Sequence, residues 1–237
     1  MSRLHLIMPM AGAGSRFSES GFTVPKPLIP LHGKPFFWWA AMSVMDYAAD
    51  VRFVVLKEHA EKFAIIDEIR KYFPDAGITV IPEVLPGPVF TCLEGAKDID
   101  DDMPVLFNDC DHMFTCPELA QAGEYDGALL TFTSSDPRFS YVMYDAEGRV
   151  TGTVEKQAVS TSAICGAYIF RSAGLFRDLA AEYVNSCPYN ECFMSGLYNI
   201  MCRRGLNVGV FKAEHHIDFG TPEGYRLALD SELFTEA

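Results

Sequence analysis

The chain has 237 residues, 49% hydrophobic and 13% aromatic, enough to bury a sizeable core and too apolar for disorder. With 32 Asp and Glu against 19 Lys and Arg its net charge is −13, which excludes a general attraction for nucleic acid or an anionic membrane surface. No apolar run of about 18 residues occurs, so no membrane-spanning helix is expected.

In chain order, the first strand is predicted over residues 4–8, followed by a glycine loop at 11–17 and by Pro25, Lys26, Pro27 and Leu28. A helix is expected over 35–48, a strand over 51–56 and a helix over 59–72. In the last of these, Phe63, Ile66, Ile69, Tyr72 and Phe73 form a core-facing stripe. Strands at 78–81, 105–107 and 128–133 alternate with a helix at 89–96. The second half reads as strands at 141–144, 149–154 and 163–170, with a hairpin turn at 145–148. Helices follow at 174–184 and 193–204, then a strand at 207–211 and a helix at 222–233. Alternation of this kind predicts an α/β fold: a Rossmann-like, mostly parallel mixed sheet with helices on both faces. The antiparallel strands are expected as a small insertion over the mouth of that sheet. With no linker or repeat visible, residues 1–237 read as one catalytic domain.

The seven cysteines, at 92, 110, 116, 165, 187, 192 and 202, are odd in number and form no C-x-x-C pair. They read as free thiols in a reducing compartment and argue against a structural zinc site. The N-terminus lacks the pattern of a signal peptide, so a cytoplasmic location is expected.

Charge is distributed unevenly. Residues 1–35 carry Arg3, Arg16, Lys26 and Lys34 against Glu19, a net +3, which leaves −16 on the remainder. Arg3 and Lys34 read as ordinary surface cations. Arg16 and Lys26 flank a loop, Ala11-Gly12-Ala13-Gly14-Ser15, at the carboxyl end of a buried strand. Backbone N–H groups there can approach an anion with no Cβ in the way. The loop is not of the Walker type, since Gly33-Lys34 is followed by Pro35 and residue 28 is Leu. Nor is it a dinucleotide fingerprint, because Phe17 stands where Gly or Ala is needed. Glycine loop, Arg16 and Lys26 together describe a polyphosphate pocket.

Residues 8–17 (Met-Pro-Met-Ala-Gly-Ala-Gly-Ser-Arg-Phe) and 25–28 (Pro-Lys-Pro-Leu) resemble the signature of the nucleotidyltransferases that make nucleotide-diphosphate sugars. The resemblance implies transfer of a nucleoside monophosphate from an NTP, a pyrimidine NTP being favoured, to a phosphorylated acceptor with release of pyrophosphate. It places Met10, Ala11, Gly12, Ala13, Gly14 and Ser15 on the nucleotide, Arg16 on its phosphates, and Lys26 between the α-phosphoryl group and the incoming phosphate. Catalysis would then be positional and electrostatic. The family also requires Mg²⁺. Asp109 and Asp111, beyond the strand at 105–107, suit a hard cation. The alignment makes Asp111 the metal ligand and leaves Asp109 on the nucleotide side. Asp218, in Asp-Phe-Gly-Thr-Pro, would be the second ligand, while Thr221 and Pro222 also open the last helix.

Looser likenesses place Glu155, Lys156, Gly166 and Glu191 at the acceptor. Glu83 and Gly87 fall in the base-recognition region, where Pro88, Val89 and Phe90 depart from the usual small residues and leave the base undecided. The expected acceptor is a sugar 1-phosphate. Phosphocholine or phosphoglutamine types stay open, as does a D-x-D glycosyltransferase built on Asp109-Cys110-Asp111. The chain ends soon after its last helix, which suggests a minimal catalytic unit; a homodimer is compatible with it. His215 and His216 read as structural, since neither has a spaced metal-binding partner.

Overall fold

Alternate residues of the first strand set the layering. In the computed structural model, which describes residues 4–234, β1 (Leu4–Pro9) sends Leu6 and Met8 into one hydrophobic cluster and Ile7 into another. A strand apolar on both faces needs cover on both. Arg3 lies outside the described residues.

Along the chain come α1 (Ser15–Glu19), the short strands β2 (Pro30–Leu31) and β3 (Lys34–Pro35), α2 (Phe36–Met42), β4 (Ala48–Leu56), α3 (Lys57–Phe63), α4 (Ile65–Tyr72) and β5 (Gly77–Ile81). Then there are α5 (Pro88–Ala96), β6 (Val105–Asn108), β7 (His112–Thr115), β8 (Gly127–Thr133), β9 (Ser140–Tyr144), β10 (Val150–Glu155) and β11 (Ser162–Phe170). The last elements are α6 (Ala173–Tyr183), α7 (Gly196–Arg203), β12 (Val208–Lys212), β13 (His215–Asp218) and α8 (Pro222–Leu229).

The main sheet has nine strands on the path β10-β9-β11-β6-β1-β4-β5, with β8 paired to β11 and β12 to β8. β1 lies between β4 and β6, parallel to both, and β5 extends this half. Helices α2 and α4 cover one face with Phe37, Ala40, Ile65 and Ile69. Helices α5, α6 and α7 cover the other with Val89, Phe176 and Leu197. This is the expected α/β class. The antiparallel strands are placed differently from expectation: β11 runs antiparallel to β6, β8 and β9, so β9 and β10 extend the main sheet. At nine residues, almost all buried, β11 is long enough to serve three neighbours.

The helix expected over 59–72 is two helices. Ala64 adopts a left-handed φ of 49°, which ends α3 and restarts α4. The buried side chains are Ile65, Ile69 and Phe73, while Phe63, Ile66 and Tyr72 are half-buried. The helix expected over 35–48 stops at Met42, and by residue 48 the backbone already pairs with Leu4 as β4. Lys34 is a surface cation with a role: its ammonium lies 4.9 Å from the ring centroids of Trp38 and Tyr72. Among the described residues no helix is long and apolar enough to cross a membrane, and all seven cysteines are free thiols.

Two contacts tie the N-terminal segment to the later strands. A third apolar cluster joins Phe17 and Phe36, near the glycine loop, to Phe219 and Phe234. Phe36 and Phe219 lie 4.6 Å apart between ring centroids, which seats the residue beside Asp218 against the N-terminal segment. The fully buried Asn108, last residue of β6, donates from Nδ2 to the Ala40 carbonyl at 2.9 Å. That carbonyl belongs to the last turn of α2, where helix acceptors are otherwise orphaned. Asn108→Ala is expected to cost about 1–3 kcal/mol in urea unfolding, the penalty of one buried acceptor left unpaired. An unchanged midpoint would show that this bond contributes nothing.

Candidate active site

The glycine loop leaves the carboxyl end of β1, and Asp109 to Asp111 leave that of β6, the edge at which open α/β sheets bind ligands. Two pockets of about 430 and 400 Å³ open there. They share a wall of Lys26, Pro88, Asp109, Asp111 and Glu191. The first is lined by Met10, Ala11, Gly12, Ala13, Gly14 and Ser15, with Gly87 and its neighbours opposite. The second holds Arg16, Glu155, Lys156, Gly166 and Asp218. Of the residues singled out from sequence, Glu83 alone lines neither pocket; it is exposed, one position before Val84 on the wall.

Lys26 is presented by a tight turn that its two prolines favour. Pro25 and Pro27 fix φ, and Leu28 N–H donates to the Pro25 carbonyl at 2.9 Å, closing a 3₁₀ turn over Lys26–Leu28. Gly14 takes φ 61° at the start of α1, and a Cβ there would stand 3.3 Å from Lys26 Cβ, so loop and turn pack directly. Across the pocket, Lys26 Nζ donates to Asp111 Oδ2 at 2.8 Å.

Asp218 reaches Asp111 through strand register. β13 pairs antiparallel with β7, setting Asp218 opposite His112, and Phe219 N–H donates to the Asp111 carbonyl at 2.9 Å. Gly220 lets the two carboxylates approach. A Cβ there would overlap Asp111 Oδ2 and stand 3.0 Å from Asp218 Oδ1. Asp218 Oδ1 accepts from Gly220 N–H at 2.9 Å, while the buried Oδ2 receives no hydrogen bond. Two carboxylates converging on a gap only a glycine leaves open, with one buried oxygen that receives no hydrogen bond and has only an arginine charge beside it, fit a hard, oxygen-ligated divalent cation.

The charges sort the three aspartates. Burial raises the Asp109 carboxyl above its ordinary range, and the neighbouring charge of Asp111 adds to this. Burial also opposes ionisation of Asp111, but Lys26, with His112 and a backbone hydrogen bond adding to it, holds that carboxyl low. Burial and then Asp111 raise Asp218, against Arg138 and Lys26. Asp111 is thus the fixed anion of the set.

In the second pocket Glu155 is buried, and its Oε1 accepts from Ser140 Oγ at 2.6 Å and from Ser195 Oγ. Lys156 has φ 55° and holds its ammonium 5.3 Å from the Phe193 ring centroid. Glu191 is exposed on the shared wall; its neighbour Cys192 is bonded to the loop opposite through Cys192 N–H to Pro86 and Val89 N–H to Cys192.

Two features escaped the sequence reading. Arg138, between β8 and β9, pairs with Asp218 Oδ2 at 2.7 Å and lines the second pocket. Its only sequence signal is a cation in a polar loop after an apolar strand. His216 does have partners, a correction to the expectation from spacing: its donor atom and those of His112 and Cys165 lie within 4.8 Å of one another. Alternate positions on the paired strands β7 and β13 put both imidazoles on one face. Burial lowers His112 to about 4 and His216 to about 3, so both are neutral. Each also has a packing partner: His112 Nε2 meets Asn108 Oδ1 at 3.2 Å, and His216 stacks on Phe132 at 3.9 Å.

The family model described as the MobA-like NTP transferase domain matches residues 7–147. No curated protein matches the chain significantly. Among solved structures, a nucleoside-diphosphate-sugar pyrophosphorylase from Vibrio cholerae RC9 superimposes with a TM-score of 0.82 at 23% identity, covering 95% of this chain and 100% of its own. An inositol-1-phosphate CTP transferase from T. maritima gives 0.76 at 15% identity, covering 96% of each chain. An apo UDP-glucose pyrophosphorylase gives 0.76 at 18%, covering 99% of this chain and 100% of its own. At these identities the likeness establishes the fold.

Gly220→Ala should force the Asp111 and Asp218 carboxylates apart. Mn²⁺ titrated into the protein and followed by electron paramagnetic resonance is expected to bind at least about tenfold more weakly to this variant, a loss of one or more coordinating oxygens. Equal binding would place the cation elsewhere.

Proposed function

The chain belongs to the MobA-like NTP transferase family, and on that premise we propose that it joins a pyrimidine NTP to a sugar 1-phosphate, giving a nucleotide-diphosphate sugar and pyrophosphate. The observation that carries this reading is the shared wall. A loop suited to triphosphate and a polar pocket for a second ligand meet at a wall that carries the charged groups Lys26, Asp109, Asp111 and Glu191. Two phosphorylated substrates seated on either side would bring their phosphates together at the Lys26 ammonium.

In the reaction an oxygen of the acceptor phosphate attacks the α-phosphorus, a new P–O bond forms, and the bond to the β-phosphate oxygen breaks, so that pyrophosphate leaves with that electron pair. Backbone N–H groups of residues 11–15 would hold the triphosphate in place. Lys26 would neutralise charge where the two phosphates meet, and Arg16, expected on the phosphates of the NTP but lining the second pocket and not the first, would take charge on that side. Asp111 and Asp218 would hold Mg²⁺, which supplies the positive charge that lets two polyanions approach. No protein nucleophile is required, because orientation and electrostatics supply the acceleration.

The acceptor side supports a polyol. Both serine hydroxyls bond to Oε1 of Glu155, and among the described residues no hydrogen bond is made to Oε2. That oxygen is left to accept from a ligand hydroxyl, with Glu191 as a second carboxylate on the wall.

Four NTPs tested against sugar 1-phosphates, inositol 1-phosphate, phosphocholine and phosphoglutamine, with pyrophosphate as the readout, decide the reading. Release is expected with a pyrimidine NTP and a sugar 1-phosphate. Turnover confined to a non-sugar phosphate would overturn the acceptor, and consumption of a nucleotide sugar without NTP turnover would overturn the reaction. Lys26→Ala is expected to lower kcat by about 10²–10³, as for loss of one preorganised charge at the reacting phosphate. Near-normal turnover would remove Lys26 from the mechanism.

A further inference from the structure

Arg138 stands on Asp218 Oδ2, a buried carboxylate oxygen of the proposed cation site that receives no hydrogen bond. Its Nη2 stands 2.7 Å from Asp218 Oδ2, at an angle that makes no hydrogen bond. Its Nη1 donates to Thr221 Oγ1 at 3.3 Å, a long contact to an oxygen that already accepts from Gly224 N–H at 3.0 Å. The root of the guanidinium is held better. Nε pairs with Asp136 Oδ2 at 2.9 Å, and the group lies 4.5 Å from the Phe139 ring centroid. Both anchors belong to its own loop and neither depends on Asp218. Arg138 is therefore fixed at its base by its own loop and held at its fork through Asp218 and Thr221, 39% exposed, in a pocket it shares with Arg16, Lys26 and Lys156.

A buried Asp218 beside a second carboxylate requires a positive neighbour. Arg138 is that neighbour. A divalent cation held by Asp111 and Asp218 would supply more charge at the same oxygen and repel the guanidinium. The freed fork would stand in the second pocket, where its planar N–H pair matches the oxygens of a phosphate. We propose that Arg138 is a latch: it covers Asp218 until a divalent cation takes that carboxylate, and then turns to the phosphate of the acceptor. This makes it a positioning residue that couples loading of the cation to binding of the second substrate, and it rests on the nucleotidyl-transfer function proposed for this site.

The latch predicts effects of opposite sign, which a purely structural clamp would not give. With Mn²⁺ alone and no substrate, electron paramagnetic resonance should show Arg138→Ala binding the ion about three- to tenfold more tightly than wild type, since a competitor for Asp218 is gone. With substrates, the same variant should raise KM for the acceptor that the wild type uses by about tenfold or more, and KM for the NTP by less than about threefold. Arg138→Lys, which keeps the charge and loses the fork, should bind Mn²⁺ as wild type does and recover only part of the acceptor affinity. Thermal unfolding of both variants checks that they fold. Unchanged or weaker Mn²⁺ binding in folded Arg138→Ala would overturn the latch, as would an equal rise in both KM values. If wild type released pyrophosphate with no substrate pair, the functional reading would fail while the Mn²⁺ comparison still decided the competition.

Discussion

A carboxylate withdrawn from water must find a cation or give up its charge, and in this cleft Asp111 finds Lys26 at 2.8 Å. The pair ties the turn after the glycine loop to the carboxyl end of β6. It also decides the states of its neighbours. Because Lys26 serves Asp111, that carboxyl stays ionised, and its negative charge then bears on Asp109 and Asp218 and raises both. One ion pair therefore leaves a fixed anion between two carboxylates that are costly to ionise until further positive charge arrives.

That arrangement suits a chain with a net charge of −13. Long-range attraction cannot deliver a triphosphate to such a surface, so the attraction must be local. Many of the cations outside the cleft are neutralised where they stand, as with Lys62 and Glu58 at 2.8 Å or Arg149 and Asp145 at 2.7 Å. Arg16, Lys26, Arg138 and Lys156 instead gather on the second pocket. Two of the four are paired to the aspartates proposed to hold a cation, so an ion arriving there would release them toward phosphate. Acidic and basic residues are thus not opposing populations in the site; Lys26 and Arg138 each neutralise one of its aspartates.

How much of this was legible in the sequence depends on how far apart the partners lie. The glycine loop, Arg16 and Lys26 fall within 31 residues and carry their own turn chemistry in Gly14, Pro25 and Pro27. Asp111 and Asp218 are far apart, yet each sits in a short motif. The parallel half of the sheet was readable because strands apolar on both faces and amphipathic helices leave different periods. Arg138 was not readable. What sets it apart from other loop arginines is a contact with Asp218 across 80 positions, and no local pattern encodes that. The same holds for His216, whose neighbours His112 and Cys165 arrive through the β7–β13 register and the placement of β11. The break at Ala64 escaped for another reason: alanine is the strongest helix former, and a left-handed alanine contradicts its propensity.

The two pockets are built to different degrees of local encoding, and this bears on why the reaction class is readable where the acceptor is not. The first pocket takes about half of its lining from one loop and its adjoining turn, whose backbone N–H groups are among its polar groups, so a few small residues specify that half. The second pocket, proposed for the acceptor, is assembled from β9, β10, β11 and the segment before α7, with Glu155 held by Ser140 from one side and Ser195 from the other. Each contributor is an ordinary residue of its own element. On the proposed reading, specificity would arise only when the sheet closes and the two serines occupy one oxygen of Glu155, leaving the other for a ligand. A change at Ser140 or Ser195 would therefore alter which face of that carboxylate meets the acceptor without touching any motif, and selectivity in this pocket can drift while the chemistry at Lys26 stays fixed.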